Sequence, residues 1–264
     1  MRNLVVFLVV GLAAGSAVAQ GEKPTAKAPQ LRQDAGALAL LDKADAILYS
    51  ASTAGLQDLK YRHEFSVLPG ISVAVKWKAA PEKLAGSLII APTTPTHIRH
   101  FAESNRKVYV DLATRIAEMM TGKSNRSIYG KDELQLVEKN QVKVIAKSAR
   151  TKAIYDEHLI TFDERGLPVK TRSKKGGTTT DLSVSFTQRE GKWFVDRVDS
   201  TATPAAGQSR KTTMGFEYAA VAGYTFPKKI KADAAAGKSE QTFVDIHPNT
   251  GLKDADFKDS DPKK

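Results

Sequence analysis

The sequence predicts an α+β fold, an antiparallel meander sheet with a few helices laid on it. Three observations predict this class. Most segments after residue 70 alternate apolar and polar side chains with period two. Short turns carrying glycine separate those segments, as in Asp163-Glu164-Arg165-Gly166 and Arg189-Glu190-Gly191-Lys192. One early segment has the 3.6-residue period of an amphipathic helix instead.

Residues 1–19 read as a secretory signal peptide. Arg2 supplies the positive start, Leu4 to Ala14 the apolar stretch, and Ala17-Val18-Ala19 the small residues of an A-x-A cleavage site before Gln20. The apolar run is broken by Gly11, Gly15 and Ser16, too short for the roughly 20 residues of a membrane span. The chain has no cysteine, so no lipid-anchor cysteine follows the signal and neither disulfides nor thiolate metal sites can form. Cleavage leaves about 245 residues, enough for a core without staples. The formal charge of +11 falls to +10 with loss of Arg2, and that excess favours anionic surfaces such as lipid headgroups and envelope polyanions. No nucleic-acid recognition motif occurs.

Residues 20–34, with GEKPTAKAPQ, are polar and aperiodic, and read as a flexible leader. From Ala35 onward Leu38, Leu41, Ala44, Ile47 and Leu48 recur at three- and four-residue steps, predicting a helix that ends before Gly55. Ile71, Val73, Val75 and Trp77 alternate with Ser72, Ala74, Lys76 and Lys78 as a half-buried strand. Residues 97–121 admit two readings, one long helix or a hairpin followed by a short helix; the alternation of Val108, Val110 and Leu112 against Tyr109 and Asp111 favours the hairpin. Asp132 and Glu133 begin another strand. Leu159, Thr161 and Asp163 oppose Ile160 and Phe162, and the turn to Gly166 leads into Leu167-Pro168-Val169. Lys174 to Thr180 is a hairpin tip. Leu182, Val184 and Phe186 then run to the turn at Gly191, after which Trp193 to Asp199 returns; further strands lie at Thr212 to Val221, Tyr224 to Ile230 and Gln241 to His247. Residues 35–257 are read as one domain and 258–264 as a disordered tail.

Chemistry is sparse. The pattern contains no GxSxG, P-loop, GxGxxG or HExxH motif, so no catalytic residue, metal ligand set or cofactor is assigned. His97 and His100 are the only close histidine pair; at i and i+3 they share a face of a helix and part on a strand. Asp42 and Asp45 read as a solvated helix face. The informative residues are apolar, since a sheet covered by helices can enclose a dry space for acyl chains. The candidates are Ile71, Val73, Val75, Trp77, Val108, Val110, Leu112, Leu159, Val184 and Phe186 on the sheet, with Leu41 and Leu48 as the helical lid. The same side chains also suit an ordinary filled core. Met119 and Met120 fit either a lid or packing.

Four stretches carry a family resemblance: Val75 to Leu84 (VKWKAAPEKL), Ser104 to Leu112 (SNRKVYVDL), His158 to Arg172 (HLITFDERGLPVKTR) and Phe243 to Phe257 (FVDIHPNTGLKDADF). With the order of elements they resemble the LolA/LolB-like outer-membrane lipoprotein carrier superfamily. That resemblance implies a half-open antiparallel β-barrel lidded by helices, a periplasmic location, and an apolar interior sheltering lipoprotein acyl chains during transfer between membrane partners. The absence of an anchor cysteine matches the soluble carrier of the family. Ala80 departs from the pattern, standing before Pro81 where carriers have a basic residue associated with cargo handover; Lys78 is the nearest basic residue. The alternatives are a general binder of lipid or other apolar ligands, and an envelope module binding polyanions or a protein partner through its basic surface.

Overall fold

The computed structural model describes residues 32–122, 124–152 and 154–260. The signal peptide and most of the leader lie outside them. Among the described residues there are five helices, α1 (Ala35–Ile47), α2 (Thr96–Ser104), α3 (Arg106–Thr121), α4 (Asn125–Tyr129) and α5 (Ala149–Lys152), and a 3-10 helix (Asp254–Ser260). The strands are β1 (Asp58–Phe65), β2 (Ile71–Lys78), β3 (Lys83–Ile90), β4 (Glu133–Glu138), β5 (Gln141–Ile145), β6 (Glu157–Phe162), β7 (Pro168–Lys175), β8 (Thr178–Arg189), β9 (Lys192–Thr203), β10 (Arg210–Val221), β11 (Tyr224–Ala234) and β12 (Gly237–Pro248). Their hydrogen-bonded order is β3-β2-β1-β12-β11-β10-β9-β8-β7-β6-β5-β4, so strands consecutive in sequence are neighbours except β3 and β4, which are the two edge strands, and β1 pairs with β12. Among the described residues no helix is long and apolar enough to cross a membrane.

Contacts divide the chain into two compact units, and the division falls within β10. The first unit comprises 32–48, Ser124–Thr213 and Ala234–Ala236, hence α1, α4, α5 and β4 to β9. Asp34 starts α1, its Oδ1 accepting from the amides of Gly36 at 2.8 Å and Ala37 at 3.2 Å, which satisfies two donors that a helix start leaves free. Ala37, Leu41 and Ala44, spaced four and three residues apart, then point to one side and are fully buried. They meet Leu134, Val142, Val144, Ile160 and Phe162 from three consecutive strands. Two predicted boundaries move. The helix ends before Gly55 as expected but stops at Ile47, without Leu48, which turns extended and bridges to Trp193 of β9. Residues 32–34, assigned to the leader, are ordered: Gln33 forms a parallel bridge with Leu134, and the amide of Asp34 donates to its carbonyl at 3.0 Å. This leader segment therefore covers the outer edge of β4.

Turn chemistry sets the meander of this unit. Asp163 Oδ1 accepts from the amides of Arg165, Gly166 and Leu167, and Gly166 adopts φ +98°, which closes the β6–β7 hairpin where the sequence placed it. Gly176 and Gly177 both have positive φ in the two-residue turn between β7 and β8, where glycine avoids a Cβ clash.

The second unit comprises 49–122, Met214–Asp233 and 237–260. Here β2 lies between β1 and β3 in antiparallel register, with Val75 opposite both Tyr61 and Gly86, and β1 pairs with β12, His63 facing Phe243. The start of β1 is tied to the segment after β12 by Asp58. Its buried carboxylate accepts from the amides of Thr250, Gly251 and Leu252 and from the Thr250 hydroxyl, at 2.7 to 3.2 Å. Burial alone pushes the Asp58 carboxyl up, but the hydrogen bonds from Thr250, Leu252 and Gly251 outweigh it and hold it below its ordinary value.

Residues 96–121 correct the predicted hairpin. They form α2 and α3, broken at Asn105, whose side chain donates back to the Phe101 carbonyl at 2.8 Å. The governing pattern is Tyr109, Leu112, Ala113, Ile116, Ala117 and Met120, all buried at helical spacing. That stripe buries six side chains on one face, whereas the period-two reading of Val108, Val110 and Leu112 would have sent Tyr109 and Ala113 to solvent. The stretch Ser104 to Leu112 is consequently helical and does not match the family's hairpin. Helix α3 packs on β2 and β3. It sits close because position 86 is glycine: a Cβ there would lie 3.0 Å from Val110 Cγ1 and 3.2 Å from Thr114 Cγ2.

Candidate ligand-binding faces

The twelve candidate residues fall on both units, and each unit has its own helix-covered face. In the first unit the register lines up Leu134 with Val144, Val142 with Ile160, Ile160 with Thr171, Thr171 with Leu182, and Leu182 with Ser200. Cross-strand partners share a face, as do residues two apart on one strand, so these positions all lie on one face. Helix α1, through Leu41, closes the part over β4, β5 and β6. Along β8 the same face continues with Val184 opposite Val198 and Phe186 opposite Val195, and these four are only half-buried. Leu48 borders this region through its bridge to Trp193, over whose ring the Arg165 guanidinium lies 4.6 Å from the centroid. The face thus passes from a sealed core to a partly open apolar stripe.

Leu159 is placed differently from its prediction. It pairs with Lys143 and Arg172, on the opposite side of β6 from Ile160 and Phe162, which enter the core. A strand's side chains alternate strictly, so of the pair Leu159 and Ile160 only one could face inward. Below the same face His158 stacks on Tyr155 at 4.9 Å and shares a 2.7 Å hydrogen bond with the Ser173 hydroxyl through Nδ1. Burial lowers its pKa to about 4, so it is neutral at pH 7.

In the second unit Ile71, Val73, Val75 and Trp77 are sealed, none more than 3% exposed. The candidates on α3 separate around the helix. Leu112 is buried against the sheet, Val110 lies over Gly86, and Val108 is 37% exposed and faces away from the core. Their alternation had implied a shared face, but on a helix residues two apart point nearly opposite ways. Met120 is buried and Met119 exposed.

The centre of this unit is β1, which none of the twelve candidates occupies. Leu59, Tyr61, His63 and Phe65 alternate with Lys60, Arg62 and Glu64, a period-two signal that identifies β1. His63 is fully buried, stacked on Phe243 with ring centroids 4.8 Å apart and tilted against Phe65 at 4.2 Å; Phe65 in turn meets Tyr109 of α3 at 5.4 Å. Burial drives its pKa down to about 3, against a weaker opposing hydrogen bond with the Gln241 side chain. The buried Tyr109 hydroxyl has no hydrogen-bond partner among the described residues. Burial also raises the Tyr109 hydroxyl to about 12. Tyr61 is different, its hydroxyl donating to the Ala113 carbonyl at 2.9 Å and pinning α3 to β1.

The polar candidates take structural places. Asp45 accepts from the amides of Asn125 and Arg126 and so caps α4, and Asp42 pairs with Arg126 at 2.7 Å. His97 and His100 lie exposed on α2, and no cluster of three metal-ligating side chains occurs among the described residues. Lys78, two residues before Ala80, is paired with Asp254 at 3.0 Å.

No family model matches the chain, and no curated protein matches it. Among solved structures it is similar to a domain from Vibrio parahaemolyticus named for outer membrane lipoprotein sorting, at 13% sequence identity and a TM-score of 0.35, over 84% of this chain and 96% of that one. A likeness of that degree supports no assignment by itself.

Proposed function

We propose that the protein is an exported, non-enzymatic carrier or binding protein that shelters lipoprotein acyl chains, or another lipid or apolar ligand, against a helix-covered sheet face. The observation that carries the reading is the stripe of Val184, Phe186, Val195 and Val198. It continues the sealed core under α1 on the same face, yet stays half-buried. An apolar stripe left partly open beside a closed core gains free energy when an aliphatic chain covers it, about 0.8 kcal/mol for each CH₂ removed from water. The signal-like N-terminus and the lack of an anchor cysteine suit a protein that works in the periplasm without a lipid tether. The formal charge of +10 that remains after loss of Arg2 supports contact with an anionic membrane surface.

Extraction of the purified protein followed by mass spectrometry is the test, together with uptake of a labelled acyl chain from vesicles. Co-purifying lipid is expected, with uptake falling at least tenfold in Val184→Asp or Phe186→Asp while the circular dichroism spectrum is retained. Protein free of lipid that acquires none from vesicles overturns the reading. In that event vesicle binding lost at raised salt would favour the polyanion-binding alternative.

A further inference from the structure

The geometry points to the edge of β3 as a self-association surface, where a second copy of this chain adds its own β3 antiparallel across a two-fold axis at Ser87. The two edge strands are guarded differently. Along β4, Gln33 bridges Leu134, the Arg32 carbonyl accepts from the Leu134 amide, and charged Glu138 and Lys139 end the strand. Along β3 the only ladder is the one to β2: among the described residues no backbone hydrogen bond leaves residues 84–90 on the other side. The run Leu84 to Ile90 (LAGSLII) carries no charge and no proline, and no bulge interrupts its register with β2. Charge, proline and bulges are the usual guards of a sheet edge, and this run has none of them.

Side-chain burial shows where cover is missing. Ile71, Val73 and Trp77 of β2 are no more than 3% exposed, but their partners across the ladder, Ile90, Leu88 and Leu84, are only half-buried, although α3 lies over the same two strands. On the opposite face Ile89 is 41% exposed. A strand hydrogen-bonded to β3 covers both rows and pairs the open amides and carbonyls. The occupant follows from the sequence of the edge itself. Antiparallel pairing about Ser87, the midpoint of the uncharged run, matches that run end to end with a second copy. Leu84 of one copy then meets Ile90 of the other, Ala85 meets Ile89 and Gly86 meets Leu88, so the two small residues stand opposite large ones and each pair shares a face. Lys83 falls beyond the run, opposite Ala91, and no like charges meet; its own chain's Asp254 already pairs with it at 2.8 Å. The interface is isologous and consumes the β3 edge of both copies, so it closes at a dimer. An edge of 8 residues is smaller than a standard stable interface, which makes the association micromolar and concentration-dependent.

Sedimentation equilibrium of the full chain, up to about 100 µM, should show a monomer–dimer equilibrium. Ser87 is exposed, so Ser87→Lys leaves the urea midpoint unchanged while setting two positive charges face to face, and should weaken the dimer at least about tenfold. Mixing Ser87→Lys with Ser87→Glu should restore association, because the two positions meet only in this register. The chain has no cysteine, so Ser87→Cys supplies a single thiol per copy, which oxidation should cross-link within the dimer. A chain that stays monomeric at the highest concentration overturns the inference and leaves the edge to an extended segment of another protein. A dimer that Ser87→Lys does not weaken, or that Ser87→Cys does not cross-link, forms through another surface and overturns it as well.

Discussion

Acidification from pH 7 to pH 5 destabilises this protein through two buried histidines. His63 and His158 are neutral in the fold, with pKa values lowered by burial to about 3 and about 4, whereas an exposed histidine in the unfolded chain titrates near 6.5. Between those values the unfolded state binds more protons than the native state, so stability falls as pH drops through about 6.5 and the loss levels off below the folded pKa values. At pH 5 each histidine costs about 2 kcal/mol, and both together about 4, a large share of the 5–15 kcal/mol of a typical domain. Carboxylates held below their ordinary range, such as Asp58 and Asp163, are still ionised at pH 5, so this window isolates the histidines. Urea unfolding at pH 7, 6 and 5 measures the effect. His63→Phe keeps an aromatic ring between Phe65 and Phe243 and removes one titrating group, so its stability should fall about 2 kcal/mol less than wild type between pH 7 and 5. Equal pH dependence of wild type and His63→Phe would refute the assignment of His63 as a buried neutral group.

Two further outcomes follow from close contacts. Asp58→Ala removes the acceptor shared by three amides and a hydroxyl and should lower stability by about 3 kcal/mol, seen as a reduced urea midpoint. Because the Asp58 pKa is lowered in the fold, its contribution is present above about pH 4 and is lost as pH falls further, so the gap between the two proteins should close in acid. Gly86→Val forces a branched side chain into Val110 and Thr114 and should cost about 1–3 kcal/mol by displacing α3, measured by thermal unfolding.

Local pattern and tertiary placement contributed unequally. The β6–β7 and β8–β9 hairpins were legible because their determinants are contiguous: Asp163 with Gly166, and Gly191 at φ +77°, between alternating runs. Residues 97–121 were misread because Val108, Val110 and Leu112 satisfy a strand over five residues, while the helical stripe from Tyr109 to Met120 needs twelve to declare itself. Leu159 was misassigned for a related reason. Alternation says that Leu159 and Ile160 face opposite ways, but not which way is inward; Val142 and α1 decide that.

From its residues alone the chain determined the hairpins from β6 to β9 with their turns, the absence of cysteine chemistry and an excess of positive charge, and its N-terminus reads as signal-like. These are properties of composition and of neighbours within a few positions, where dihedral preference and side-chain period act. Only the tertiary structure decided that β1 pairs with β12 from the far end of the chain, setting His63 against Phe243 and diagonally across from Gln241, and that Val184 and Phe186 extend the face under α1. Period two sorts side chains between two faces but carries no information on which strand lies alongside or which helix covers it. Pairing and burial across the whole chain supply both.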